Sequence, residues 1–157
     1  MNVSASWHHG LRFLGKADNG IEIPIGTDPG GDGTPEGISP LELTAISLAG
    51  CTAMDVISIL TKKKQEVTSF EVKVHAEQAA EFPKVFTHMV ITYLVTGHAV
   101  EEIAVVRAIE LSETKYCPVQ AMLGKVVPIE MIYEIFEAEE SGRGRLTKRG
   151  KYQSPGG

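Results

Sequence analysis

Two cysteines, one tryptophan and an aromatic content of 6% are all that this 157-residue chain offers of several informative residue types. Two cysteines are too few for a disulfide-rich secreted scaffold. No stretch approaches the roughly 18 uninterrupted apolar residues that a membrane span needs. The opening "MNVSASWHHG" has no basic region followed by an apolar core, so no secretory signal is read there. A cytoplasmic location is therefore expected, a setting in which a cysteine pair is more often catalytic or redox-active than structural. His8, His9, His75, His88 and His98 have no ligand spacing with either cysteine, and no metal is expected. The loop "GTDPGGDGTPEG", residues 26–37, lacks the Lys-Ser/Thr ending of a phosphate loop, and Asp28, Asp32 and Glu36 do not follow calcium-loop spacing. Acids are missing from "SGRGRLTKRGKYQSPGG", residues 141–157, where Arg143, Arg145, Lys148, Arg149 and Lys151 give +5, leaving −10 on the rest of a chain of net −5. Five charges with one aromatic are a weak nucleic-acid footprint, and nucleic acid is not an expected partner. Residues 139–157 are expected to be a solvated, disordered tail after a single folded domain at 1–138.

What is present is 43% apolar and reads as an α+β domain. "NVSASW" alternates, and "LRFLGKADNGIEIPI" has the form of a hairpin turning at "DNG". In "SPLE", Ser39 is a cap, Pro40 suits the first helical position, and Glu42 completes a capping box. The helix that follows runs to about Leu60 and ends in Lys62 to Lys64, which suit its C-terminal dipole. From Leu41 to Leu60 it is apolar on nearly all sides, so it needs cover from a sheet and from another helix or subunit. So short a chain has little to spare for wrapping it, which favours an oligomer. Strands are expected at 70–82 and 84–97, with Phe70, Val72, Val74 and Ala76 sharing one face and Met89, Ile91, Tyr93 and Val95 another. A second helix from Val100 to Thr114 has an apolar stripe of Val100, Ile103, Ala104, Ala108 and Leu111. "KYCPVQAMLGKV" gives a short helix with Cys117 at or near its cap, and "IEMIYEIFE" a final strand.

Cys51 sits in the apolar run "LAGCTAMDVISIL". "SPLELTAISLAGCTAMDVISIL" around Cys51 and "RAIELSETKYCPVQAML" around Cys117 resemble the osmotically inducible protein C and organic hydroperoxide resistance (OsmC/Ohr) family, in particular the OsmC-like subgroup with "LS..KYC" before its second cysteine. The similarity runs from about residue 3 to residue 138. The resemblance implies an intertwined homodimer, with long central helices buried between antiparallel sheets completed by both chains. It implies thiol-dependent reduction of organic hydroperoxides in oxidative stress defence, with no bound cofactor: Cys51 attacks the peroxide, Cys117 resolves the sulfenic acid as a disulfide, and an external thiol or dithiol restores both.

A peroxidatic cysteine must be a thiolate, and at an ordinary value near 8.5 only about 3% is ionised at pH 7. One guanidinium at about 4 Å supplies on the order of 4 kcal/mol at an effective dielectric of 20, enough to correct this. The folded body has two arginines, Arg12 in the N-terminal hairpin and Arg107 within the stripe of the second helix; the alternative for Arg107 is an ion pair with Glu110 at i+3. The family's catalytic Glu directly follows a Pro ten residues before the cysteine. Here Leu41 holds that position, and Glu42, nine residues before Cys51, lies about 180° around the helix, where its capping role explains it. Asp55, one turn after Cys51, either holds a cation near the sulfur or pairs structurally. Lys115 either favours the Cys117 thiolate or is simply solvated, while the cap position of Cys117 should ease its ionisation. Three alternatives stay open: two buried core cysteines, a permanent disulfide, or a non-catalytic protein binding a small thiol, acyl or lipid ligand in the interface pocket.

Overall fold

Residues 1–27, 37–140 and 144–154 are described by a computed structural model. Asp28, Asp32, Glu36 and Arg143 lie outside the described residues. The chain divides into two compact units, Met1–Thr44 and Ala45–Gly157.

The first unit holds a three-stranded antiparallel sheet of β1 (Val3–His9), β2 (Arg12–Ala17) and β3 (Glu22–Ile25), in that spatial order. The turn between β2 and β3 needs a residue at positive φ, and Gly20 takes it at 83°. Asn19 Oδ1 accepts from Ile21 N–H at 3.1 Å, closing the "DNG" turn as its residue types require. α1 (Pro40–Lys62) begins at this unit's end with the capping box intact. Glu42 N–H donates to Ser39 Oγ at 3.2 Å, and Ser39 N–H donates to Glu42 Oε2 at 2.8 Å.

The second unit carries the rest of α1 and a four-stranded sheet in the order β4 (Glu66–Gln78), β5 (Phe86–His98), β6 (Ile129–Glu137), β7 (Arg145–Tyr152). Period-two alternation turns Met89, Ile91, Tyr93 and Val95 of β5 wholly inward. They pack with Leu48, Val56 and Leu60 of α1, spaced in turns of the helix, and with Met131 and Ile135 of β6. β5 and β6 are parallel, contrary to the expectation of purely antiparallel sheets. The reason is the connection: a crossover through α2 (Glu102–Leu111) and α3 (Pro118–Leu123) returns the chain in its original direction.

The tail expected to be disordered contains a strand. β7 pairs antiparallel with β6, setting Arg149 opposite Glu134 and Arg145 opposite Glu137. Arg149 Nε lies 3.2 Å from Glu134 Oε1, and Lys151 Nζ lies 2.8 Å from Glu130 Oε2. Such exposed pairs add little stability singly, but they match β7 to an acidic neighbour, and a basic outer strand protects a sheet edge from further pairing. Reading the basic residues as a solvated run overlooked the acids of "IEMIYEIFE" that face them.

Two helices also differ from expectation. The inner face of α2 is Ala104, Val105, Ala108 and Ile109, while Ile103 is 77% exposed. α2 gives way at Ser112 to a π turn, Ser112–Tyr116, where a continuous helix to Thr114 was expected. α1 is not enclosed within one chain: Leu48, Thr52, Val56 and Leu60 form its buried stripe, whereas Ile46 and Met54 stay exposed. It is long and apolar enough to cross a membrane by length and composition only, a test that the core helix of a soluble protein also passes, and 22% of its 18-residue apolar window is buried.

Candidate functional site

Cys51 and Asp55 lie one turn apart on α1, and Cys117 caps α3. The two sulfurs and the Asp55 carboxylate lie within 4.8 Å of one another. Both cysteines are free thiols, Cys51 half-buried and Cys117 buried. The π turn is what delivers Cys117. Its N–H donates to Ser112 O at 2.8 Å, a five-residue closure that widens the end of α2 by one residue before α3 starts at Pro118. Such turns recur at functional sites.

Behind the cluster runs a buried chain of hydroxyls. Ser112 Oγ donates to Asp55 Oδ2 at 3.1 Å, which commits its single proton. Thr52 Oγ1, 2.9 Å from Ser112 Oγ, must therefore donate to it, and Tyr93 OH, 2.7 Å from Thr52, donates in turn. Tyr93, Thr52, Ser112 and Asp55 thus form one directed series ending on a carboxylate beside the thiols. Burial holds the Tyr93 phenol well above its ordinary range, so it stays a donor at neutral pH. Thr52, Tyr93 and Ser112 were not singled out from the sequence as site residues. The available signal was a lone threonine on the wholly apolar stripe of α1, which a buried helix tolerates only with a partner. Ser112→Ala strands both Thr52 and Asp55, and a loss of about 1–3 kcal/mol is expected in urea unfolding. A change below about 0.5 kcal/mol would show that the series carries no stability.

Cys117 departs from expectation in its electrostatics. Its Sγ accepts from Gln120 N–H at 3.3 Å, as a cap should, and that contact favours the thiolate. Burial outweighs it, reinforced by the Cys51 thiol and the Asp55 charge, and the Cys117 thiol is pushed up to about 12. Its cap position does not produce an easily ionised thiol.

Arg12 opens β2 in the first unit. Arg107 sits on the exposed side of α2 near Ile103 rather than within an apolar stripe, and its Nη1 is 2.7 Å from Glu110 Oε2. Its i+3 ion pair is the arrangement found. Glu42 is held by Ser39, whose side-chain and backbone hydrogen bonds draw its carboxyl below the usual range. Lys115 is exposed, with Nζ 5.3 Å from the centre of the Tyr116 ring. Asp55 also lines a cavity of about 300 Å³ with Ser58, Ile59, Lys62, Lys63, Leu111 and Tyr116.

The OsmC-like protein family matches residues 31–132, spanning both cysteines. The chain is a member of the OsmC-like family. The protein YhfA of Escherichia coli K12 is 41% identical over 138 residues, covering 88% of this chain and all of YhfA. The crystal structure of a hypothetical protein from Aquifex aeolicus VF5 is 30% identical, with a TM-score of 0.77 over 88% of this chain and 97% of its own. A Legionella pneumophila structure described as an organic hydroperoxide resistance protein OsmC and predicted redox protein is 14% identical, with a TM-score of 0.63 over 85% of this chain and 94% of its own. At that identity it speaks for the fold alone. This OsmC-like chain has the α+β architecture and long central helix of the fold.

Proposed function

We propose that this OsmC-like protein is a cytoplasmic thiol peroxidase that reduces organic hydroperoxides. The observation that carries the reading is the meeting of Cys51 and Cys117, far apart in sequence, at one half-buried cluster. The Cys51 thiolate attacks the outer peroxide oxygen, the O–O bond breaks, and the alkoxide takes a proton to leave as an alcohol. Cys51 is then a sulfenic acid. Cys117 attacks its sulfur, water leaves, and a disulfide forms. An external dithiol returns both thiols by exchange. The name of the Legionella structure, and the fold shared with it, supports the choice of oxidant.

The test is steady-state reduction of tert-butyl and cumene hydroperoxide by the full chain with a dithiol reductant. Turnover of either that depends on the dithiol is expected; its absence with every hydroperoxide sinks the reading. A second reading, ligand binding without turnover, is favoured by the carboxylate that lies beside the sulfurs. It requires ligand-dependent thermal stabilisation that survives Cys51→Ser.

The active form in this reading is a homodimer. Met54, 73% exposed on an otherwise apolar helix, and Ile46 are the surface that a second copy covers. In solution the protein should run at twice 17.0 kDa. Met54→Lys should shift it to monomer in sedimentation velocity, whereas a monomeric parent protein removes the dimer from the proposal.

A further inference from the structure

Cys51, Asp55 and Cys117 place three potential ligand atoms together, two soft and one hard, with every pair inside 4.8 Å. A tetrahedral zinc ion with thiolate and carboxylate ligands sets its donors about 3.5 Å apart, which small side-chain rotations reach from here. Histidine spacing was the basis for expecting no metal, but this set contains no histidine and comes from two distant segments. We propose that the reduced dithiol form binds one thiophilic divalent cation of the zinc and cadmium class through the Cys51 and Cys117 sulfurs and one Asp55 oxygen, with the fourth position open.

Three features beyond proximity support it. Each group in the cluster is neutral or anionic, so ionising both thiols beside Asp55 concentrates negative charge that a dication relieves. Two ligands already have the outer hydrogen bonds that orient metal ligands: Ser112 Oγ donates to Asp55 Oδ2 at 3.1 Å, and Gln120 N–H donates to Cys117 Sγ at 3.3 Å. Asp55, one of the three ligands, also lines a cavity of about 300 Å³, so its carboxylate is reached from solvent.

Binding forms two metal–sulfur bonds and one metal–oxygen bond, and each sulfur that still carries a proton releases it to solvent as its S–H bond breaks. Oxidation ends it. A two-electron thiol oxidant such as the azo compound diamide removes one electron pair from the two thiolates. The S–S bond forms, the ion leaves, and diamide takes up that pair with two solvent protons to become the hydrazine. The metal-bound and disulfide forms are alternatives of one site, and nothing in this depends on peroxide chemistry.

Cobalt(II) is the probe, added to reduced, metal-stripped, full-length protein. One equivalent should produce thiolate-to-cobalt charge-transfer absorption with tetrahedral d–d bands and release protons into weakly buffered solution. Zinc should displace it. Protein first oxidised with diamide should show neither signal, a comparison that requires no variant to fold. Ser112→Ala should weaken binding by about 10–100-fold. A stoichiometric titration without charge-transfer bands overturns the proposal. So does cobalt binding that is unchanged in the diamide-oxidised protein or in the Cys51→Ser, Cys117→Ser double variant.

Discussion

Cys51→Ser should bring dithiol-dependent hydroperoxide reduction down to the uncatalysed rate. Serine preserves the shape of the side chain within the α1 helix but has no thiolate to attack oxygen and no sulfenic acid to form. Because Cys51 is half-buried and the replacement nearly isosteric, folding should change by only about 1 kcal/mol, and the loss should be read as chemical. Cys117→Ser should behave differently. One equivalent of alcohol should be released, after which the protein stalls as a sulfenic acid that dimedone traps at Cys51. The pair of variants separates the proposed roles more sharply than either alone. If Cys51→Ser retains turnover while Cys117→Ser loses it, the assignments are reversed; if both retain it, the sulfur pair is not the redox centre. A pure binding protein gives no alcohol with any variant, and that outcome favours the second reading.

Much of the fold was legible because its signals are local. The Ser39–Glu42 box, the "DNG" turn and the alternation of Met89, Ile91, Tyr93 and Val95 each depend on residues a few positions apart, and each is found as expected. What escaped depends on partners held by other elements, or on a turn that its own residues do not announce. β7 pairs with β6, whose acids face its basic residues, a relation that composition windows around residues 141–157 do not contain. The π turn at Ser112–Tyr116 places Cys117 N–H on Ser112 O, and nothing in "SETKY" taken alone asks for it. The cysteines were visible as residues, but no spacing rule brings Cys51 to Cys117; only the family resemblance suggested it. Tyr93 was recognised as core from its position in β5. The partner of its hydroxyl, Thr52, lies on another element and could be found only in three dimensions. The stripe of α2 differs from expectation because Val105 and Ile109, not Ile103, face inward, while Arg107 takes the Glu110 ion pair that was its alternative.

Alkylation of Cys117 in the folded, reduced protein should be about a thousandfold slower at pH 8 than in the urea-unfolded chain. Its thiol is pushed up to about 12, first by burial and then by the neighbouring Cys51 thiol. An ordinary cysteine titrates near 8.5. Between these values the unfolded chain has released the proton while the native state keeps it, so the native state binds more protons. Stability from this group is therefore fully present below about pH 8 and falls as pH rises toward 12. Cys117→Ala should flatten that alkaline decline, although the raised phenols of Tyr93 and Tyr152 will preserve part of it. Mass spectrometry of iodoacetamide-treated protein across pH 7–10 measures the first effect directly. Modification of native Cys117 within tenfold of the unfolded rate at pH 8 would mean that the α3 cap prevails over burial. The same balance bears on the proposed cycle. Oxidation of Cys51 replaces the neighbouring thiol that raises Cys117, easing its ionisation just when a resolving nucleophile is needed. Disulfide formation after a single pulse of hydroperoxide should accordingly accelerate with pH well beyond 8.5, tracking the Cys117 proton rather than that of an exposed thiol.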